Sequence, residues 1–291
     1  MSRFETDDIY IVAEIGQNHN GELELAKNLI EEAYISGCSA VKLAKRDLGH
    51  ELSKESYNRP YNNPNSFGAT YGEHRKFLEF SPEQHRILKK YANNRKMDYF
   101  LSVCDIPSLV FALTLDPPVI KIPSKEVNNI PLIEESAKYG KPIIISMGLS
   151  TEDEFDNSIE IIEEEKIRPI ICVCTSQYPC EYDNVNLYRL FYYSSYKIGF
   201  SSHTPDPMLG VAAVAMGATY IEYHITLNRE MKGSDHSCSL ELDEFGYLVD
   251  SIHTLKLALG DYKIYDELPY YLKPIAEKMK KHKCDDGVYR I

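Results

Sequence analysis

Residues 142–174, PIIISMGLSTEDEFDNSIEIIEEEKIRPIICVC, hold one full unit of the architecture. Residues 142–146 are an apolar, Ile-rich run, as expected for a parallel strand buried on both faces. Residues 151–166 open with Thr-Glu-Asp-Glu, acidic where a helix dipole is positive, and predict a helix. Residues 169–174 then begin a second apolar run. Strand, helix and strand in this order argue for a parallel sheet.

The same alternation extends in both directions. Further strands are expected at 9–15, 40–43, 99–103, 119–122, 196–200 and 219–224. Helices are expected at 22–36, 82–96, 106–115, 130–139, 185–193, 206–216 and 242–259, several ending at glycine (Gly37, Gly140, Gly217, Gly260). Eight βα units fit a (β/α)8 TIM barrel, which takes about 250 residues; a doubly wound open sheet is the alternative. The connection 47–81 is unusually long and reads as a lid or substrate loop.

The chain has 291 residues, 43% hydrophobic and 26% charged, which excludes disorder, collagen and small disulfide scaffolds. A net charge of −12 argues against nucleic acid or an anionic membrane as partner, so an anionic ligand needs a local cationic cluster. Apolar stretches such as 210–218 fall short of the ~20 residues of a membrane span. The acidic start MSRFETDD lacks the apolar core of a secretion signal. Seven scattered cysteines without a C-x-x-C pair read as reduced, buried thiols of a cytoplasmic protein; Cys172 and Cys174 share one strand face.

Barrel chemistry sits at the C-terminal strand ends. These carry Glu14, then Lys42 and Lys45, Ser102 and Asp105, and Lys121 with Ser124 and Glu126. Ser146, then Thr175-Ser176-Gln177-Tyr178, Ser201-Ser202-His203, and Glu222 with His224 follow, and KGSDH (232–236) comes after the last strand. Lys42, Lys121 and Glu222 lie in buried runs, where a charge is costly unless it is paired or functional. A structural salt-bridge layer would explain one of them; several together favour an active site.

His203 and His224 end adjacent strands about 4.8 Å apart and can converge on one ion. With Glu14 or Asp235 they suit a divalent transition metal such as Mn, Zn, Co or Fe. His19, in Asn-His-Asn-Gly, reads as a shaped turn. Lys42 and Lys121 with Ser124, Ser146, Thr175 and Ser201 form a donor ring suited to a phosphate or carboxylate, although any single serine is explained by capping. No Walker A, dinucleotide or G-x-S-x-G motif is present.

AEIGQNHNG (13–21), RPYNNPNSFGATYGEHRKFLEF (59–80), NNIPLIEESAKYGKPIIISMG (128–148), CTSQYP (174–179), IGFSSHT (198–204) and IEYHITLNREMKGSDHSCSLE (221–241) resemble the N-acetylneuraminate (sialic acid) synthase family, in family order. TYGEHR and KGSDHS look like its animal-type branch. The resemblance implies a TIM barrel that condenses phosphoenolpyruvate with an N-acyl amino sugar, N-acetylmannosamine or its 6-phosphate, releasing phosphate. It makes His203 and His224 the metal ligands, with Mn the first expectation and Mg, Co or Zn the alternatives. Lys42, Lys121, Ser124, Ser146, Ser176, Tyr178 and Ser201 match positions that hold phosphoenolpyruvate. Glu14, Glu126, Glu222 and Asp235 match acidic positions around the sugar and reacting carbons, Glu14 or Glu222 serving the water.

Three departures stand out. Ala44 replaces the usual Gln, and Lys125 the usual Gly after the strand-four Ser. The family's C-terminal antifreeze-like domain, which lends an Arg to the partner subunit, is not expected in the tail 261–291, which carries six Lys or Arg residues from Lys273 to Arg290. The expected organisation is thus a barrel over 1–260 and a short tail, with a homodimer and a separate antifreeze-like protein as expected partners. A non-catalytic sugar-binding or regulatory barrel, and a Schiff-base aldolase using Lys121, are the competing readings.

Overall fold

The computed structural model describes residues 2–6, 8–260 and 265–291; residues 261–264 of the expected tail, and Met1 and Asp7 of the acidic start, lie outside them. Eight parallel strands run in sequence order: β1 (Tyr10–Gly16), β2 (Ala40–Lys45), β3 (Asp98–Val103), β4 (Ile120–Ile122), β5 (Ile143–Met147), β6 (Ile170–Cys174), β7 (Lys197–Ser202) and β8 (Tyr220–Thr226). β8 pairs back onto β1, from Tyr10↔Tyr220 to Glu14↔His224. That closure makes the sheet a (β/α)8 barrel and excludes the open sheet. Each strand lies within two residues of its expected place.

Helices Leu23–Ile35, Pro82–Asn93, Ile106–Thr114, Ile130–Ala137, Glu152–Glu164, Pro207–Ala215 and Leu242–Leu259 separate or follow the strands. Thr151 and Glu154 form a reciprocal capping box, as do Ser81 with Gln84 and Thr70 with Glu73. Each such cap is worth about 1 kcal/mol. Two expectations need correction. The helix expected at 185–193 is instead two single turns, Tyr182–Val185 and Arg189–Tyr192, because Asn186 between them is left-handed at φ 48°. The connection 47–81 is not one open loop: it folds into Leu48–Glu51, Lys54–Asn58 and Tyr71–Leu78.

Alternation along each strand divides the apolar residues into two cores. Leu29, Ile30, Val41, Ile145, Phe155 and Leu248 pack between sheet and helices. Tyr10, Phe100, Val119, Ile144, Ile170 and Tyr220 fill the barrel interior. Tyr220 fits there because β7 offers Gly199, whose added Cβ would stand 2.8 Å from Tyr220 Cβ. Phe4, in the turn Arg3–Thr6, packs edge-on to Tyr10 at 5.2 Å. The interior floor is therefore apolar, and the next inward positions on β1, β2, β4 and β8 are Glu14, Lys42, Lys121 and Glu222.

Two compact units divide the chain, Met1–Leu255 and Lys256–Ile291. The second contains the helix Lys273–Met279 and an antiparallel pair, His282–Lys283 with Tyr289–Arg290. Among the described residues no helix is long and apolar enough to cross a membrane.

Candidate active site

Four charged residues, each 5% exposed or less, form one network above the apolar floor. Lys42 Nζ pairs with Glu14, donates to Ser102 Oγ at 2.6 Å and lies 3.6 Å from Glu222 Oε2. Lys121 Nζ is 3.2 Å from the same Glu222 oxygen and 5.0 Å from the Tyr220 ring centre. Glu222 also accepts from Ser201 Oγ at 2.9 Å and from the Tyr220 hydroxyl. Beyond this ion pair Lys121 Nζ has no hydrogen-bond partner, so part of its donor capacity is left for a ligand.

The two carboxylates separate electrostatically. Burial alone would raise Glu222, but Lys121 and Lys42 hold it well below the usual carboxylate range. Burial outweighs Lys42 at Glu14 and pushes it up to about 7. One carboxylate thus stays ionised while its neighbour can carry a proton near neutral pH, the arrangement that separates acid–base roles in one site. For Lys121, burial opposes the charge but Glu222 helps keep it protonated, above the ordinary lysine range.

Above this network His203 and His224 stand with ring centres 5.5 Å apart. His203 Nδ1–H donates to the Thr175 carbonyl at 2.7 Å, which turns Nε2 toward the cavity. The Tyr178 ring covers His203 at 4.1 Å. His224 Nδ1 is buried with no hydrogen-bond partner. Burial lowers His203 and brings His224 down to about 4, so both imidazoles are neutral with lone pairs available. An orphaned nitrogen beside an oriented imidazole fits a metal pair. The expected help from Glu14 or Asp235 is not seen: among the described residues neither joins both imidazoles in a three-donor group.

The backbone is shaped for this pair. The β1–β2 register shifts between Glu14 and Gly16, and Gly16 has φ +52°. A Cβ there would lie 2.8 Å from Glu14 Oε1 and 3.0 Å from His224 Cε1. Gly16→Ala is expected to cost about 1–2 kcal/mol for the left-handed backbone. It should also displace both side chains, so that turnover falls further than the stability loss explains. Paired urea unfolding and rate measurements check this.

The other expected residues divide. Ser146, Ser176, Tyr178, Ser201 and Asp235 line the same cavity of about 370 Å3. Ser124 lines it too, and its Oγ meets Ser176 Oγ at 2.8 Å across the rim. Asp235 accepts from Ser234 Oγ at 2.6 Å. Glu126 is not among the lining residues: it takes Lys125 Nζ at 2.7 Å and Asn129 Nδ2 at 2.8 Å.

Sequence reading missed Arg46 and Arg75 on the cavity wall. Arg75 comes from the capped helix Tyr71–Leu78 of the long connection and donates to Gln17 Oε1 and Tyr71 Oη. Arg46 follows Lys42 and Ala44 at the strand period of two, a signal the sequence did offer. Glu51, Cys104 and Glu126 bring three donor atoms within 4.8 Å of one another. Lys125 Nζ pairs with both of those carboxylates, so a cation already serves that group.

Residues 29–264 match the NeuB family. The chain is 39% identical over 257 residues to human N-acetylneuraminate-9-phosphate synthase, covering 86% of this chain and 71% of that protein. The chain belongs to the NeuB family. A Legionella pneumophila relative, N,N'-diacetyllegionaminic acid synthase, is 34% identical over 263 residues, covering 86% and 73%. A crystal structure of the sialic acid synthetase of Leptospira borgpetersenii, in complex with citrate, superposes with TM-score 0.78 at 28% identity, over 94% of this chain and 91% of that one. NeuB membership and the donor sets together point to a divalent metal. Of the two donor sets, the imidazole pair is the better fit, since it has free lone pairs and no cation seated in it.

Proposed function

We propose that the chain is a nonulosonic acid synthase, condensing phosphoenolpyruvate with an N-acyl hexosamine, N-acetylmannosamine or its 6-phosphate, or a related sugar, and releasing phosphate. The observation that carries this reading is the buried network Glu14–Lys42–Glu222–Lys121 beneath the His203–His224 pair in one cavity of a NeuB-family barrel. A divalent metal held by His203 and His224 would supply Lewis-acid polarisation of the sugar carbonyl.

The remaining chemistry belongs to the chain. Lys42 and Lys121, with hydroxyls of Ser124, Ser146, Ser176, Tyr178 and Ser201, hold the phosphate and carboxylate of phosphoenolpyruvate in a site where water screens little. Glu222, fixed as an anion between the two lysines, keeps both cations in place. The new C–C bond joins the phosphoenolpyruvate methylene to the sugar carbonyl carbon, and a water adds to the electron-poor carbon left behind. Glu14, poised near neutrality, takes the proton of that water and passes it to the oxyanion left on the former sugar carbonyl, after which the added hydroxyl becomes the ketone and the C–O bond to phosphate breaks, phosphate leaving with the hydroxyl proton. Asp235 orients sugar hydroxyls, and Glu126 acts indirectly by holding Lys125 and Asn129.

The test is phosphate release from phosphoenolpyruvate with Mn and a panel of N-acyl hexosamines. Stoichiometric phosphate and a new 2-keto acid are expected with at least one sugar. Sugar binding without phosphate release would overturn the reading in favour of a binding barrel. Borohydride trapping of a lysine adduct of pyruvate would overturn it in favour of Schiff-base chemistry.

A further inference from the structure

Five of the residues lining the cavity are cations and only three are carboxylates, in a chain whose net charge is −12. Lys42 and Lys121 account for the deep part. Arg46 is different. Its side chain is 10% exposed, and its Nε and Nη1 are buried with no hydrogen-bond partner. Its nearest counter-charge, Glu51 Oε1, lies 3.3 Å from Nε but is already paired with Lys125. A buried guanidinium left short of acceptors is costly unless a ligand supplies them.

The residue is also held in place. Its backbone N–H donates to Glu79 Oε1 at 3.1 Å, and Glu79 pairs with Lys45 at 2.5 Å. Lys42 and Ala44 share one side of β2, Arg46 continues that alternation just past the strand's end, and all three line the cavity. Arg46 stands about 13 Å along the chain from Lys42, two pleats nearer the mouth. Ala44, with only a methyl group, leaves the space between them open. A small anion on the floor is served by the lysines, so the Arg46 guanidinium faces whatever binds second.

We propose that Arg46 is a specificity-determining residue that selects an acceptor sugar carrying an anionic substituent, a phosphate monoester or a carboxylate, through a guanidinium whose hydrogen-bonding capacity the protein leaves unfilled. This rests on the synthase reading above. A planar guanidinium offers two parallel N–H donors to such a group, which a hydroxyl cannot match.

The experiment compares N-acetylmannosamine, its 6-phosphate and N-acetylmannosaminuronate as acceptors for wild type, Arg46→Met and Arg46→Lys. Wild type should prefer one of the two anionic sugars, and which one tells phosphate from carboxylate. Arg46→Met should raise KM for that sugar by about 30-fold or more, the usual consequence of losing one partner of a buried charge pair, and erase the preference. KM for phosphoenolpyruvate should move less than about twofold. Arg46→Lys should restore part of the preference, and thermal melting of each variant checks the fold. No anionic preference in wild type, an unchanged preference in Arg46→Met, or a rise confined to the KM of phosphoenolpyruvate would each overturn the assignment. Calorimetric titration with the sugars alone separates the two failures. A wild type that releases no phosphate yet binds the anionic sugar through Arg46 overturns the reaction and keeps the subsite; one that binds none of the three overturns both.

Discussion

Lys121→Met is expected to lower the apparent affinity for phosphoenolpyruvate by about 30- to 5,000-fold, the range that follows from losing 2–5 kcal/mol of a buried charged contact. Lys121 is 1% exposed, its ammonium has no hydrogen-bond partner beyond the ion pair with Glu222, and it lines the cavity. Stability should fall as well. Removing Lys121 leaves Glu222 with Lys42 at 3.6 Å, Ser201 and Tyr220 as partners, so the loss should sit near or below the ~3–5 kcal/mol typical of breaking a buried pair. The double variant Lys121→Met/Glu222→Gln separates the two effects. It removes the stranded charge, so it should recover stability in urea unfolding without recovering phosphoenolpyruvate affinity. Unchanged affinity in the single variant would make Lys121 a structural cation and sink its role in the site.

The barrel was legible because its strands are continuous apolar runs, and runs such as IIIS at 143–146 and IICVC at 170–174 are hard to place anywhere but a buried parallel sheet. Charges that interrupt such runs identify the network residues for the same reason. What the sequence hides is pairing. Lys42 and Lys121 read as free cations for a substrate, yet each is tied to a glutamate, and only three-dimensional closure brings β8 beside β1 so that Glu222 can reach both lysines. Glu126 read as a site carboxylate because it matches an acidic position of the family, but the tight 3-10 turn Ser124–Glu126 sets it against Lys125 and Asn129. Arg75 was hidden by distance, since nothing in periodicity says that a helix in the 47–81 connection reaches back over β1.

The two histidines should respond differently to truncation, and the difference tests why they are there. His224→Ala removes a buried imidazole whose Nδ1 has no partner, so the protein loses a polar atom that was costing about 1–3 kcal/mol, against lost contact with Tyr178 at 6.2 Å. Metal-free stability should therefore change little. His203→Ala strands the Thr175 carbonyl, which His203 Nδ1–H now satisfies at 2.7 Å, and should destabilise by about 1 kcal/mol or more. In both variants turnover should fall at least ~100-fold, beyond what a change in supporting residues alone produces. A ligand that binds only the folded state at 100 times its Kd stabilises by about 2.7 kcal/mol, so Mn should raise the Tm of the wild type and chelation should reverse the gain. Neither variant should show that rise. If His224→Ala keeps both the Mn-dependent shift and its turnover, the orphaned nitrogen has some other purpose and the ion binds elsewhere. If His224→Ala loses the shift at no cost to metal-free stability, then the cavity keeps an imidazole that folding does not need, and binding the ion is the reason it is there.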